Sequence, residues 1–156
     1  MNSTIEYNWA NSGGGIYNLG GTVIIANSDV VNNLANSGGG GFFNTNSIDG
    51  DGNLSIGELT LSNVNVLENW AGSSGGGLYN LGGIATVKRN SMVSENTAST
   101  NGGGIANVTI VEANHLPIIG DLGYWTAQYQ KTSRVLPLPL PIKMVAMAVE
   151  FTTPAS

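Results

Sequence analysis

The sequence predicts an all-β chain wound as a parallel β-helix, a solenoid of about four to five coils followed by a non-repeat C-terminal tail. Three observations carry this expectation. A glycine-rich element, "NSGGGIYNLGG" at 11–21, returns as "GSSGGGLYNLGG" at 72–83 and, shortened, as "NSGGGGFFN" at 36–44 and "NGGGIAN" at 101–107. Short β-rich runs follow the copies, "TVIIA", "ELTLS", "ATVKR" and "VTIVEA", in place of the 3.6-residue apolar spacing that a helical repeat needs. The glycine triplets exclude helix over the same span. A single loop of this kind would suggest a phosphate cradle, but that chemistry needs a strand before it, a helix after it and a lysine or acid in a set place. A catalytic loop is needed once, and repetition points to architecture.

Each unit can be read position by position. It opens with Asn and usually Ser (Asn2-Ser3, Asn27-Ser28, Asn63-Val64, Asn90-Ser91) and then places an aliphatic residue: Ile5, Val30, Val66 or Val93. Asn8, Asn33, Asn69 or Asn96 follows, then Ala10, Ala35, Ala71 or Ala98. The triplets stand at 13–15, 38–40, 75–77 and 102–104, succeeded by Ile16, Phe42, Leu78 or Ile105 and by Asn18, Asn44, Asn80 or Asn107. Unit starts at 2, 27, 63, 90 and 114 give periods of 25, 36, 27 and 24. Such a period suits three short strands per coil, each pairing in parallel with its counterpart at about 4.8 Å. Ile5, Val30, Val66 and Val93 then form one interior column, and Ile16, Phe42, Leu78 and Ile105 another. The triplets mark corners where positive φ and close stacking demand glycine. The alanines occupy a tight part of the interior. Asparagines at equivalent points build amide ladders and tolerate the left-handed turn conformation. Residues 1–114 read as the repeat region and 115–156 as a C-terminal cap or extended tail.

Composition narrows the function. Of 156 residues 41% are apolar, but only 10% are charged, against the roughly 25% usual for soluble domains. Asn, Ser, Thr and Gly must therefore cover the surface. The net charge is −5, and the basic residues Lys88, Arg89, Lys131, Arg134 and Lys143 form no patch able to neutralise phosphates. Nucleic acid is excluded as a partner. There is no cysteine, hence no disulfide or thiolate metal site. No apolar stretch reaches membrane-spanning length, and "MNSTIEYNWA" has neither the basic nor the apolar region of an export signal.

The second unit is the longest, and its excess contains "SIDGDGNLSIGEL" at 47–59. Read as a calcium loop, Asp49, Asp51, the Asn53 carbonyl, Ser55 and Glu58 fall at the ligand positions, with Gly52 at the sharp turn. Ser47 stands where the first Asp is expected, and neither flank is helical. The alternative is a solvated hairpin extruded from a corner. Catalysis has little to draw on. The remaining acids Glu6, Asp29, Glu68, Glu95, Glu112, Asp121 and Glu150 are scattered, and the equivalent positions of Glu68 and Glu95 suit a solvated face better than a general acid and base. His115 stands alone and reads as structural.

The iterated GGG[IL]xN element, with Asn-Ser and Asn-x-Ala around it, resembles the right-handed parallel β-helix repeats of secreted and surface-exposed bacterial proteins, among them the polymorphic outer membrane protein group. The resemblance covers about residues 2–114. It implies a right-handed winding, an extracellular or cell-surface location and a structural or adhesive role without enzyme activity. The chain lacks a leader and a C-terminal barrel pattern, so it looks like a segment of such a protein or a short diverged form. Its partners are then the remainder of a larger surface protein, further copies of itself in an oligomer or filament, or a surface polysaccharide. A polysaccharide-cleaving β-helix is the remaining alternative. In the tail, Tyr124, Trp125 and Tyr129 suit a cover for the last coil. "LPLPLP" at 136–141 reads as a blunted edge strand or a polyproline II linker.

Overall fold

The strands follow from the alternation within each unit. In chain order they are β1 (Ser3–Glu6), β2 (Trp9–Ala10), β3 (Ile16–Leu19), β4 (Thr22–Val31), β5 (Leu34–Ala35), β6 (Phe42–Thr45), β7 (Ser47–Ile48), β8 (Leu54–Ser55), β9 (Glu58–Leu67), β10 (Trp70–Ala71), β11 (Leu78–Leu81), β12 (Ile84–Lys88), β13 (Met92–Ser94), β14 (Thr97–Ala98), β15 (Ile105–Val108) and β16 (Asp121–Gly123). The computed structural model describes residues 2–108 and 121–123, and no helix occurs among them.

Three parallel sheets collect these strands in a fixed order. The first runs β1-β4-β9-β12-β16 with β13 also on β9, the second β2-β5-β10-β14, and the third β3-β6-β11-β15. The chain visits first, second and third sheet in turn and then begins again one strand higher, which is the arrangement of a solenoid. Among the described residues only β7 and β8 pair antiparallel as strands, as a hairpin between β6 and β9.

Register confirms the predicted columns. Ile5 pairs with Val30, Val30 with Val66 and Val66 with Val93 in the first sheet. Ile16, Phe42, Leu78 and Ile105 align in the third. The middle members of both columns are buried, together with Leu59, Leu61, Val64, Ala85 and Val87, while Ile5, Ile16 and Ile105 pack against this core from its ends. Ala10, Ala35, Ala71 and Ala98 align in the second sheet, with Ala35 and Ala71 completely buried.

The glycine corner carries one correction. In the second unit the aligned triplet is 39–41 and not 38–40: Gly39 takes the positive φ of 69° that Gly13, Gly75 and Gly102 take elsewhere. Gly38 is an additional glycine, and the space above it is filled by the ring of Tyr79, whose Cδ1 would lie 2.3 Å from a Cβ there. Four successive glycines hid this shift, because any three of them match the pattern. The need for glycine is clearest at the second member. A Cβ on Gly14, Gly40 or Gly76 would stand 2.5, 2.4 or 2.3 Å from the carbonyl oxygen of the glycine one rung above.

Left-handed backbone is borne out at one set of asparagines and not at the others. The unit-opening Asn27 and Asn63, whose side chains hydrogen-bond each other at 2.9 Å, adopt it, whereas the ladder asparagines Asn8, Asn33, Asn69 and Asn96 do not. Tyr7, Asn32, Glu68 and Glu95, each directly before a ladder asparagine, have φ of 54–58°, and Asn27, Asn63 and Arg89 form a second such column at 50–56°. Of the residue types found there, only asparagine announces the conformation in sequence.

β16 lies parallel to β12, with Ile84 opposite Asp121 and Thr86 opposite Gly123, so the first sheet extends past residue 114. The fifth-unit start at Asn114, His115, the aromatic group at 124–129 and the proline run at 137–141 lie outside the described residues.

Candidate functional site

Most buried polar side chains belong to the stack. Along the third sheet Asn18 Nδ2 donates to Asn44 Oδ1, Asn44 Nδ2 to Asn80 Oδ1 and Asn80 Nδ2 to Asn107 Oδ1, each at 2.7 Å. Along the corner before the second sheet, Asn8, Asn33 and Asn69 donate in the same way to Asn33, Asn69 and Asn96 at 2.9–3.0 Å. The Oδ1 atoms of Asn33, Asn69 and Asn96 also accept the backbone N–H of the asparagine one rung below. The amides therefore tie rung to rung, and no buried side-chain donor or acceptor among the described residues lacks a partner. Such fully satisfied interior columns serve the fold.

The 47–58 segment folds as the hairpin alternative drew it. Ile48 faces Leu54 and Ser47 faces Ser55 across β7 and β8. Asp49 organises the turn: its Oδ1 accepts the backbone N–H groups of Asp51 at 3.0 Å and Asn53 at 2.8 Å, and its Oδ2 accepts the Asn53 side-chain amide at 2.9 Å. The Asn53 side-chain amide first, and its backbone N–H second, hold the Asp49 carboxyl below its ordinary value. The Asn53 carbonyl, a ligand in the calcium reading, accepts the backbone N–H of Asp49. Ser55 lies on β8. Glu58 opens β9, and its Oε2 lies 3.5 Å from Thr22 Oγ1. Asp49, Asp51 and Asn53 are thus drawn together by turn hydrogen bonds. Among the described residues no three His, Asp or Glu side chains are grouped to hold a metal ion.

Charge is confined to part of the surface around the stack. Glu6, Asp29, Glu58, Glu68, Lys88, Arg89 and Glu95 lie on the first sheet or the corners that bound it, and Asp49 and Asp51 lie in the hairpin turn. The second and third sheets and the glycine corner between them carry no charged residue in any described rung. The inward alanines of the second sheet turn their neighbours outward, because successive side chains of a strand alternate. Trp9, Leu34, Trp70 and Thr97 consequently share an outer column, with Trp9 71%, Leu34 36% and Trp70 38% exposed. Asn36 Oδ1 accepts the Trp9 indole N–H at 3.2 Å and ties that ring to the next rung. Asn11, Asn36, Ser37, Ser99 and Thr100 are exposed beside the column.

The third sheet carries a second ring column, but its rings meet each other. Tyr17 stacks on Phe43 at 5.0 Å and 5°, and Phe43 meets Tyr79 edge to face at 5.1 Å and 84°. Burial pushes the Tyr79 hydroxyl up from its ordinary value. The sequence expectation covered Phe42 of the inward column and none of Tyr17, Phe43 and Tyr79. The signal it passed over was the recurrence of Trp, Leu and Trp directly before the aligned alanines.

Comparison with family models, with curated proteins and with solved structures returns no match.

Proposed function

We propose that this chain is a non-enzymatic structural and adhesive β-helix of an extracellular or cell surface, related to the polymorphic outer membrane protein group by its GGG[IL]xN repeats. Its winding is right-handed, the hand favoured when a twisted strand crosses over to a parallel neighbour in the same sheet, and it makes about four to five coils. One observation carries the reading. Two of the three sheets present uncharged outer faces, and one of them lines up exposed apolar rings along the stack. A large exposed apolar patch with a polar border is the mark of an interaction surface. Retention of the purified chain on insoluble cell-wall and cell-surface material tests it. Saturable retention that survives high salt, without release of sugar reducing ends, is the expected outcome. Absence of retention, or release of reducing ends, overturns it.

A self-assembling filament subunit is the second reading, and ladder polarity supports it. Every inter-rung amide bond of the two interior ladders runs from the lower rung to the oxygen of the higher one. The side-chain Oδ1 atoms of Asn8 and Asn18 accept no hydrogen bond from the described residues. Any further rung below them, whether from a preceding segment or another copy, meets two aligned acceptors. Particle size measured against concentration separates the readings, since a filament grows and a single scaffold does not.

A further inference from the structure

We infer that the outer column Trp9–Leu34–Trp70 is a binding site for a neutral polysaccharide laid along the solenoid axis. This inference rests on the adhesive reading and names its ligand class.

The first argument is charge. Among the described residues no charge occurs in the strands of the second sheet or in the glycine corner that follows it. On the opposite border Glu68 and Glu95 are exposed two residues before Trp70 and Thr97, in the corner before the second sheet. An anionic polymer finds no counter-charge there and is repelled from the upper rungs, while a cationic segment finds two carboxylates at the border but none under the rings. A neutral chain meets neither a repulsion nor an unpaired charge to desolvate.

The second argument is the pairing of rings with hydroxyl and amide groups. Sugar rings present flat C–H faces edged by hydroxyls. The column offers aromatic and aliphatic surface, bordered by the exposed polar side chains of Asn11, Asn36, Ser37, Ser99 and Thr100. Few-rotamer rings with a polar border are the usual way to bind an amphipathic ligand.

The third argument is preorganisation and spacing. The Asn36 bond holds the Trp9 indole before any ligand arrives, which reduces the ordering cost of binding. Trp9 and Trp70 each pair with Leu34, one on either side. The two indoles are therefore set two strand spacings apart, about 9.6 Å, a span comparable to a disaccharide unit of an extended glycan. The rival column on the third sheet lacks this character, because its rings already engage one another, Tyr17 stacked on Phe43 and Phe43 edge to face with Tyr79.

Affinity electrophoresis and titration calorimetry of the full chain test the site. The probes are soluble neutral polymers (a mixed-linkage β-glucan, a xyloglucan, dextran) set against polygalacturonate and heparin. At least one neutral polymer is expected to bind, neither polyanion to do so, and salt to have little effect. Trp9→Ala and Trp70→Ala should each weaken binding by about tenfold or more. The double variant should abolish it, while Ile24→Ala, on the outer face of the first sheet, should leave it unchanged. Circular dichroism and urea midpoints establish that each variant is folded, and Trp9→Phe, which keeps a ring, should recover part of the affinity if Trp9→Ala proves unstable. Undiminished binding in the folded double variant overturns the site, and preference for a polyanion overturns the ligand class. A concentration-dependent dimer lost in the double variant, with no glycan bound, gives the column to a second copy and also overturns the proposal. Retention on cell-wall material without binding to any neutral polymer refutes this inference alone; loss of all retention refutes the adhesive reading beneath it.

Discussion

Asn44 shows how much one amide can hold. Its side chain accepts from Asn18, donates to Asn80 and donates again to the Gly57 carbonyl at 2.9 Å, all in the interior. Asn44→Ala leaves the buried Asn80 Oδ1 without its donor, while Asn18 Nδ2 keeps the Gly21 and Glu58 carbonyls, and it removes the packing of the amide itself. We expect it to cost about 3 kcal/mol, since a buried unpaired group costs about 1–3 kcal/mol; urea unfolding checks this. Backbone sign decides a second residue-scale outcome. Glu68 holds a φ of 55° that an L side chain adopts reluctantly. Glu68→Gly should therefore stabilise the chain by about 1 kcal/mol. Gly76→Ala, one corner later, should prevent native folding, because its Cβ would enter the backbone of the next rung. A folded Gly76→Ala variant of unchanged melting temperature would refute the close-stacked corner.

The hairpin of β7 and β8 is the element that departs from the repeat, and its turn depends on an ionised Asp49. Because the folded carboxyl lies below its ordinary value of 3.8, its contribution is present above that value and is lost as pH falls through the lower, folded one. The carboxylate is fully exposed, so the effect is local. Limited proteolysis within 47–56 should accelerate below that pH and in Asp49→Ala at neutral pH, while the melting temperature of the stack stays nearly constant. Calcium supplies the complementary measurement. With both Asp49 oxygens engaged by the turn, we expect no calorimetric heat from added calcium. A saturable heat, lost in Asp51→Asn and Glu58→Gln, would assign Asp49, Asp51, Asn53, Ser55 and Glu58 to the ion after all.

At the scale of the molecule, each rung contacts chiefly its neighbours, so stability is a sum of stacked interfaces. Leu78 is completely buried between Phe42 and Ile105. Leu78→Ala should cost about 3 kcal/mol, whereas Ile24→Ala at 70% exposure should stay within about 0.5 kcal/mol. Chemical denaturation of the two variants checks this contrast. Charge asymmetry sets the solution behaviour in turn. With the described charges on the first sheet, the corners that bound it and the hairpin turn, association through the faces of the other two sheets should depend only weakly on ionic strength.

Periodicity made the interior legible. The spacing of Ile5, Val30, Val66 and Val93 from their asparagine markers was enough to assign one column, because a solenoid repeats the same side-chain direction at the same offset. The amide ladders and tight alanines followed from the same rule. Repetition could not resolve the four-glycine run, where Gly38 is additional, nor reveal that Tyr7, Glu68, Glu95 and Arg89 carry positive φ, since only the path of the folded backbone shows it. The candidate binding face was hidden for a related reason. Trp9, Leu34 and Trp70 are 25 and 36 residues apart in the chain, and nothing in their chemistry as single residues marks them as neighbours. Sequence alone determined the rungs and what fills them. Only tertiary structure decided the outer surface, because stacking in register brings one residue from each rung into a common column and leaves the strands of the second and third sheets free of charge in every described rung, with Glu68 and Glu95 at the border.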